Sequence, residues 1–219
     1  MLTVTDISKS YNEQELFSGL TFTVGMSDRI AVIGRNGTGK TTLFEIITGN
    51  IISDSGSVSV RRGTAIGYLR QDVQPSSERS LLEYVSGSSD VVSKLEHKIA
   101  LVQEDLAEEQ DEETANGLLR KLGELQSLYE AKGGYNSEHE AKIILGGMGF
   151  APSDFRRPLS EFSGGWRTRI ELTRLLFLSP DILLLDEPTN YLDLETQRWF
   201  ETYLKRYRGA VLITSHDRA

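Results

Sequence analysis

The chain has 219 residues, 38% of them hydrophobic, and a formal net charge of −8, a length that suits one domain or at most two with a sizeable core. No apolar run approaches the roughly 20 residues needed to cross a bilayer, and the start MLTVTDISKS lacks the charged and apolar regions of a signal peptide. Cysteine is absent, which excludes disulfides and thiolate metal sites and is compatible with a reducing cytoplasm; His97, His139 and His216 show no metal-ligand spacing, and the acidic field would repel nucleic acid except at a local contact.

Strands are predicted over LTVTDI (2–7), LTFTV (20–24), RIAVIG (29–34), GSVSV (56–60) and TAIGYL (64–69), from alternation and β-branched content. Tyr11, in SKSYN, is either a packing or surface tyrosine or a ring that stacks on adenine. KTTLFEIITG (40–49) has Leu43, Ile46 and Ile47 at helical spacing and a Gly where a helix would stop. Between the third strand and this helix, GRNGTGKT (34–41) satisfies the phosphate-loop pattern of Gly, four residues, Gly, Lys and Ser or Thr. Its physics is a nest of backbone N–H groups, over Gly34, Arg35, Asn36, Gly37, Thr38 and Gly39, at a helix N-terminus. Lys40 would lie across the β- and γ-phosphate oxygens and Thr41 would offer its hydroxyl to Mg²⁺, with Thr42 next in the first turn.

The middle of the chain changes character. From Leu81 to Leu145 there is no proline, and Leu95, Ile99, Val102 and Leu106 recur at helical spacings that Leu118, Leu122, Leu125 and Tyr129 repeat. Two helices folding back on each other over about 91–132 would pair those stripes, with the turn in EEQDEETANG (108–117) and Gly133-Gly134 ending the second. Plain amphipathic helices on a globular core are the simpler alternative. The expected organisation is a single domain over 1–219, its α/β core at 1–80 and 158–219 and its helical part at 81–157.

After Pro158, ILLLDEPT (182–189) is a short apolar run that ends in two acids, as a buried parallel strand does when its carboxyl end reaches a site. AVLITSHD (210–217) repeats the design, and LETQRWFETYLKRY (194–207) between them has helical spacing, which implies a right-handed crossover into one parallel sheet. Neighbours in a strand face opposite ways, so Asp186 and Glu187 take different tasks: Asp186 to hold Mg²⁺ through water, Glu187 to orient or deprotonate an attacking water. Read alone, the pair is also a helix cap before Pro188. Gln71 and His216 stand at predicted strand ends on the same edge, Gln71 for the metal or its water and His216 for the γ-phosphate. Far downstream of the phosphate loop, EFSGGWRTR (161–169) sets Ser163, Gly164 and Gly165 at the start of a basic helix, a second phosphate-friendly geometry.

GRNGTGKT, Gln71, Ser163-Gly164-Gly165, LLLDE (183–187), Asp193 and His216, in this order, closely resemble the ATP-binding-cassette (ABC) nucleotide-binding domain over nearly the whole chain. The resemblance implies an ATPase using ATP and Mg²⁺, with an α/β P-loop NTPase-type core. It also implies a mainly parallel sheet, an antiparallel β subdomain and a helical subdomain carrying a helical-hairpin arm. Cassettes of this family meet head to tail, so Ser163, Gly164 and Gly165 would serve a nucleotide held by the loop of a second cassette; Asp193 joins the nucleotide site by the same resemblance.

Within the family, Trp166 in FSGGWR, the run DEPTNYLD (186–193), GGYNSEHEAKIILGGMGF (133–150) and the hairpin before Ser163 resemble the F subfamily (ABC-F), whose members carry two cassettes and act on ribosomes. The expectation is the first cassette of such a protein, ending at SHDRA where the family continues. It would be cytoplasmic, with a second cassette and the ribosome as partners and no membrane insertion. Two features depart from that pattern: Tyr191 stands where the subfamily has His, and residues 94–142 carry twelve acids against six bases where an RNA-contacting arm would be basic. The alternatives are the ATPase subunit driving an ABC membrane transporter, against which Trp166 and the hairpin weigh, and a non-catalytic nucleotide-gated module, against which Glu187 weighs.

Overall fold

In the computed structural model, residues 1–11, 14–70, 77–87, 90–108, 111–131 and 134–215 are described, so Gln71, Gly133 and His216 lie outside the described residues. The chain opens with strands β1 (Leu2–Tyr11), β2 (Gln14–Val24) and β3 (Arg29–Ile33), then helix α1 (Lys40–Ile47) and strands β4 (Ser55–Val60) and β5 (Ile66–Leu69). β2 starts well before the predicted LTFTV. Its first residues extend the hairpin with β1 through several register shifts and are largely exposed, so they lack the alternation that marks a strand in sequence.

Two sheets result. β2, β1 and β4 form an antiparallel sheet in that order. The second sheet adds β6 (Ile182–Asp186) and β7 (Ala210–Ser215) and is parallel, in the order β3-β7-β6-β5. Every residue of β6 is buried, which explains why ILLL reads as a continuous apolar run: a parallel strand covered on both faces has no polar side to show. α7 (Leu194–Arg206) makes the crossover between β6 and β7, and α6 (Gly164–Leu178) precedes β6.

α1 joins the two sheets. Its Leu43, Phe44, Ile46 and Ile47 pack with Leu2, Val4, Ile7 and Val24 of the antiparallel sheet and with Ile182, Leu184, Ala210 and Leu212 of the parallel one. Phe44 also meets Tyr68 of β5 edge to face at 5.8 Å, and truncating so buried a ring to alanine costs about 3–5 kcal/mol. The helix that follows the phosphate loop is therefore fixed by the core. The strand register then sets Ile33 beside Ser215 and Asp186 beside Thr214, so the loop after β3 and the end of β6 reach one edge of the sheet.

By its contacts the chain divides into two units, Met1–Pro75 with Phe162–Ala219, and Ser76–Glu161. The second unit is helical: α2 (Leu81–Ser86), α3 (Asp90–Glu108), α4 (Glu112–Ala131) and α5 (Gly134–Gly147). Leu95 and Tyr129, with Ile99 and Leu125 against them, form the seam between α3 and α4, so the two stripes do pair as an antiparallel hairpin. α4 starts at Glu112, inside the stretch predicted for the turn, where Asp111 accepts a hydrogen bond from the Thr114 N–H. α4 ends at Ala131, just before the predicted stop, and Gly134 opens α5. Burial of Ala141, Ile144, Leu145 and Met148 and a hydrogen bond from the Tyr129 hydroxyl to Glu138 (2.9 Å) outweigh the low helix propensity of glycine there.

Candidate active site

The phosphate loop closes on itself before it meets any ligand. The Thr38 N–H and hydroxyl both donate to the Arg35 carbonyl, at 3.3 and 2.9 Å. Two glycines are required by space. A Cβ on Gly34 would lie 2.7 Å from Thr38 Oγ1, and one on Gly39, at φ 91°, would lie 3.0 Å from Leu16 Cβ. Lys40 is 8% exposed, and its ammonium donates to the Gly34 and Arg35 carbonyls at 2.7 and 3.3 Å while standing 3.7 Å from Glu187 Oε1.

The two acids at the end of β6 do diverge. Asp186 is buried in the sheet, where Oδ2 accepts from the Thr41 hydroxyl (2.6 Å) and Oδ1 from the Thr214 hydroxyl (2.5 Å). Glu187 leaves the sheet in a left-handed conformation, φ 48° and ψ 52°, immediately before the 3₁₀ turn Pro188–Tyr191. Its N–H donates to Thr214 Oγ1 (2.9 Å), and its Oε2 accepts from Asn190 (2.9 Å). A cleft of about 470 Å³ runs between Tyr11 and Leu16 at one side, Asn36, Gly37 and Gly39 to Thr42 along the loop, and Glu187 at the other. Tyr11 thus faces the cleft, half exposed, with the Lys9 ammonium 5.4 Å from its ring centre.

Other predicted site residues stand apart from that cleft. Gly34, Arg35 and Thr38 build the loop without lining it. Ser163 precedes α6 with extended backbone, and its side chain makes no capping bond to the helix that Gly164 and Gly165 begin. Asp193 caps α7, accepting from the Thr196 N–H (2.9 Å) and hydroxyl (3.1 Å), and pairs with Arg169 at 3.2 Å. The Thr196 hydrogen bonds, aided by the Arg169 charge, hold its carboxyl below the usual carboxylate range.

Arg169 gathers the two unusual residues of the sequence. Its guanidinium lies 4.4 Å from the Trp166 ring centre, a cation–π contact, and donates twice to the Tyr191 carbonyl, at 3.1 and 2.7 Å. Because Tyr191 is held through its backbone, a Tyr in place of a His leaves this link unchanged. Thr214, Asn190 and Arg169 were not singled out by sequence. Thr214 left one trace, a hydroxyl at the end of the otherwise apolar AVLIT; Asn190 left none.

The ABC transporter family matches residues 17–190. The chain belongs to that family as its ATP-binding domain. It is 36% identical over 218 residues to the protein YdiF of Bacillus subtilis (strain 168), covering 100% of this chain and 34% of that one. It is also 35% identical over 218 residues to ABC transporter F family member 5 of Arabidopsis thaliana, covering 98% and 31%. The chain thus spans about a third of the length of these curated relatives. A dimeric ATP-binding cassette in a post-hydrolysis state, bound to ADP and Pi, shares the fold at a TM-score of 0.65 and 18% identity, covering 99% of this chain and 88% of that one.

As an ABC ATPase domain, the chain uses ATP and Mg²⁺, and its residues fit both. The cleft is lined by backbone at a helix start, by an ammonium and by a tyrosine ring, which suits an anion joined to a flat base. Among the described residues no group of three or more His, Cys, Asp and Glu could cage a metal. Thr41 and Asp186, two hard oxygen donors in contact, are the set expected for Mg²⁺ shared with substrate phosphates. No helix of the described residues is long and apolar enough to cross a membrane.

Proposed function

We propose that this chain is one cassette of an F-subfamily ABC ATPase, acting in the cytoplasm on the ribosome and hydrolysing ATP against a second, facing cassette. The observation that carries the subfamily reading is the α3–α4 hairpin, set in the sequence between the Gln71 segment and α6 of a cassette core. The likeness to an F family member at 35% identity supports it. Relatives about three times as long as this chain leave room for a second cassette.

In this reading the Lys40 ammonium exchanges its two carbonyls for β- and γ-phosphate oxygens, and Tyr11 stacks on the base. Thr41 and, through water, Asp186 would hold Mg²⁺, with Gln71 on the metal or its water. Bound Mg²⁺ supplies charge neutralisation at the phosphates. Glu187 faces the cleft beside Lys40, where it orients the attacking water, and His216 donates to the γ-phosphate. Ser163, Gly164 and Gly165 give their N–H groups and hydroxyl to the nucleotide of the facing cassette, and Asp193 serves that site by holding the turn after Tyr191.

The test uses the full-length protein with Glu187→Gln and the matching change in the second cassette, which keeps ATP bound while hydrolysis slows by about 10²–10⁴-fold. Cosedimentation with ribosomes in ATP, and release without it, is the expected result. A protein that binds ATP but never sediments with ribosomes would sink the ribosomal reading and point to a membrane-protein partner instead.

A further inference from the structure

We propose that Thr214 is a positioning residue for ATP hydrolysis, whose one hydroxyl fixes Asp186 and Glu187 relative to each other; this rests on the roles given above to those two acids. A hydroxyl has one proton to donate and lone pairs to accept with. Thr214 uses both on the two acids: it donates to Asp186 Oδ1 at 2.5 Å and accepts from the Glu187 N–H at 2.9 Å. Thr214 and Asp186 are each 1% exposed, so neither group can exchange its partner for bulk water.

Packing alone does not ask for this residue. The strand ahead of it is apolar, Ala210 to Ile213, and valine has the same shape and suits a buried parallel strand. A buried hydroxyl is unfavourable unless bonded, and here both bonds lead to the site.

The consequence lies in how freely each acid can move. Asp186 has one oxygen on Thr41 and the other on Thr214. Thr41 is the residue that would turn toward a cation, so Thr214 is the donor that keeps the carboxylate plane set when it does. Glu187 holds φ 48°, a left-handed conformation that a non-glycine residue keeps only when its surroundings fix it. Thr214 fixes its backbone from β7, and Asn190 its carboxylate from the following turn. The hydroxyl thus transmits the position of the metal-holding acid to the water-orienting one, across two paired strands.

The experiment compares Thr214→Val, Thr214→Ser and Glu187→Gln in the full-length protein. It reads single-turnover hydrolysis, affinity for a fluorescent ATP analogue in EDTA and across a Mg²⁺ titration, and thermal midpoint. Thr214→Val should slow hydrolysis about 10- to 100-fold and raise the Mg²⁺ needed for half-maximal effect by a similar factor, as loss of a metal ligand's supporting hydrogen bond does. Affinity in EDTA should hold, because the phosphate loop makes no contact through this hydroxyl. Thr214→Ser should restore both quantities. If Thr214→Val gives no folded protein, Thr214→Ala carries the same expectations with room left for the strand to settle. Wild-type hydrolysis and Mg²⁺ dependence in the variants lacking the hydroxyl overturn the proposal, as does a Thr214→Ser protein as slow as Thr214→Val. Normal hydrolysis in Glu187→Gln instead overturns the role of Glu187 itself, so the two failures are told apart.

Discussion

Among the helix starts whose caps are described, two kinds stand apart. Ser80 closes the start of α2 with a capping box, Asp111 closes α4 and Asp193 closes α7, each by a side-chain oxygen on a backbone N–H. Gly39 at α1 and Ser163 at α6 make no such bond, and neither helix has an acid in its first turn, whereas α2 has Glu83 and α7 has Glu195. A closed start uses its N–H groups for stability; an open one keeps them, and its positive dipole end, for an anion. The two open starts also differ from each other. That of α1 lies in a cleft with Lys40, Thr41 and Glu187, while Ser163 and its neighbours line no part of that cleft. The first start is furnished with groups that suit a phosphate, and the second is the one that the proposed function assigns to the nucleotide of a facing cassette.

Removing the ammonium from the equipped start should have the largest effect. Lys40→Ala deletes a buried charge that would bind the phosphates and leaves Glu187 without the cation 3.7 Å away. A loss of ATP affinity on the order of 100-fold or more is expected, since truncating one partner of a buried charged contact typically costs about 2–5 kcal/mol. Titration with labelled ATP measures it. Undiminished affinity would mean that the open start of α1 is only a turn, and the contrast with the capped helices would lose its meaning.

Ser163→Asp sharpens the comparison at the other open start. Aspartate caps a helix as well as serine and adds a favourable charge at its N-terminus, so the thermal midpoint should hold or rise. The same carboxylate would repel an incoming γ-phosphate, and hydrolysis by the paired cassettes should fall on the order of 100-fold, the scale of losing an oxyanion donor. First binding of ATP to this cassette's own loop should not change. A variant that is more stable and still hydrolyses normally would show that the start of α6 meets no phosphate.

These contrasts were legible in the sequence to different degrees. The phosphate loop is a local pattern, and the inner strands of the parallel sheet announce themselves as ILLL and AVLIT, so the sheet edge shared by the loop and the two acids was within reach. Gly133-Gly134 read as a helix stop, and α4 does end at Ala131; that burial further on starts α5 at Gly134 is a tertiary effect that no neighbour in sequence reports. Thr214 and Arg169 act through partners brought close only by folding, Asp186 on the neighbouring strand and Asp193 in a different loop. An uncapped Ser163 is invisible for a simpler reason: sequence shows a residue that can cap, and only the backbone shows that it does not.

The smallest expected effect belongs to a closed start. Asp193→Asn keeps the cap geometry, since asparagine caps equally well, and removes the charge that faces Arg169. The Thr196 hydrogen bonds and that arginine hold the Asp193 carboxyl below its ordinary value, so in the folded state it ionises more readily than in the unfolded chain. A carboxyl shifted down stabilises the fold above its unfolded value, about pH 4, and that contribution disappears as pH falls through the lower, folded value. The difference in urea midpoint between the wild type and Asp193→Asn should therefore be full at pH 7 and shrink below about pH 4. It should also be modest and weaken with salt, because this side chain is well exposed to solvent. A gap that stays constant with pH would assign the effect to shape instead of charge. The pair of variants then separates the two kinds of helix start: a charge removed from the closed one registers as acid-sensitive stability, and a charge added to the open one registers as lost turnover.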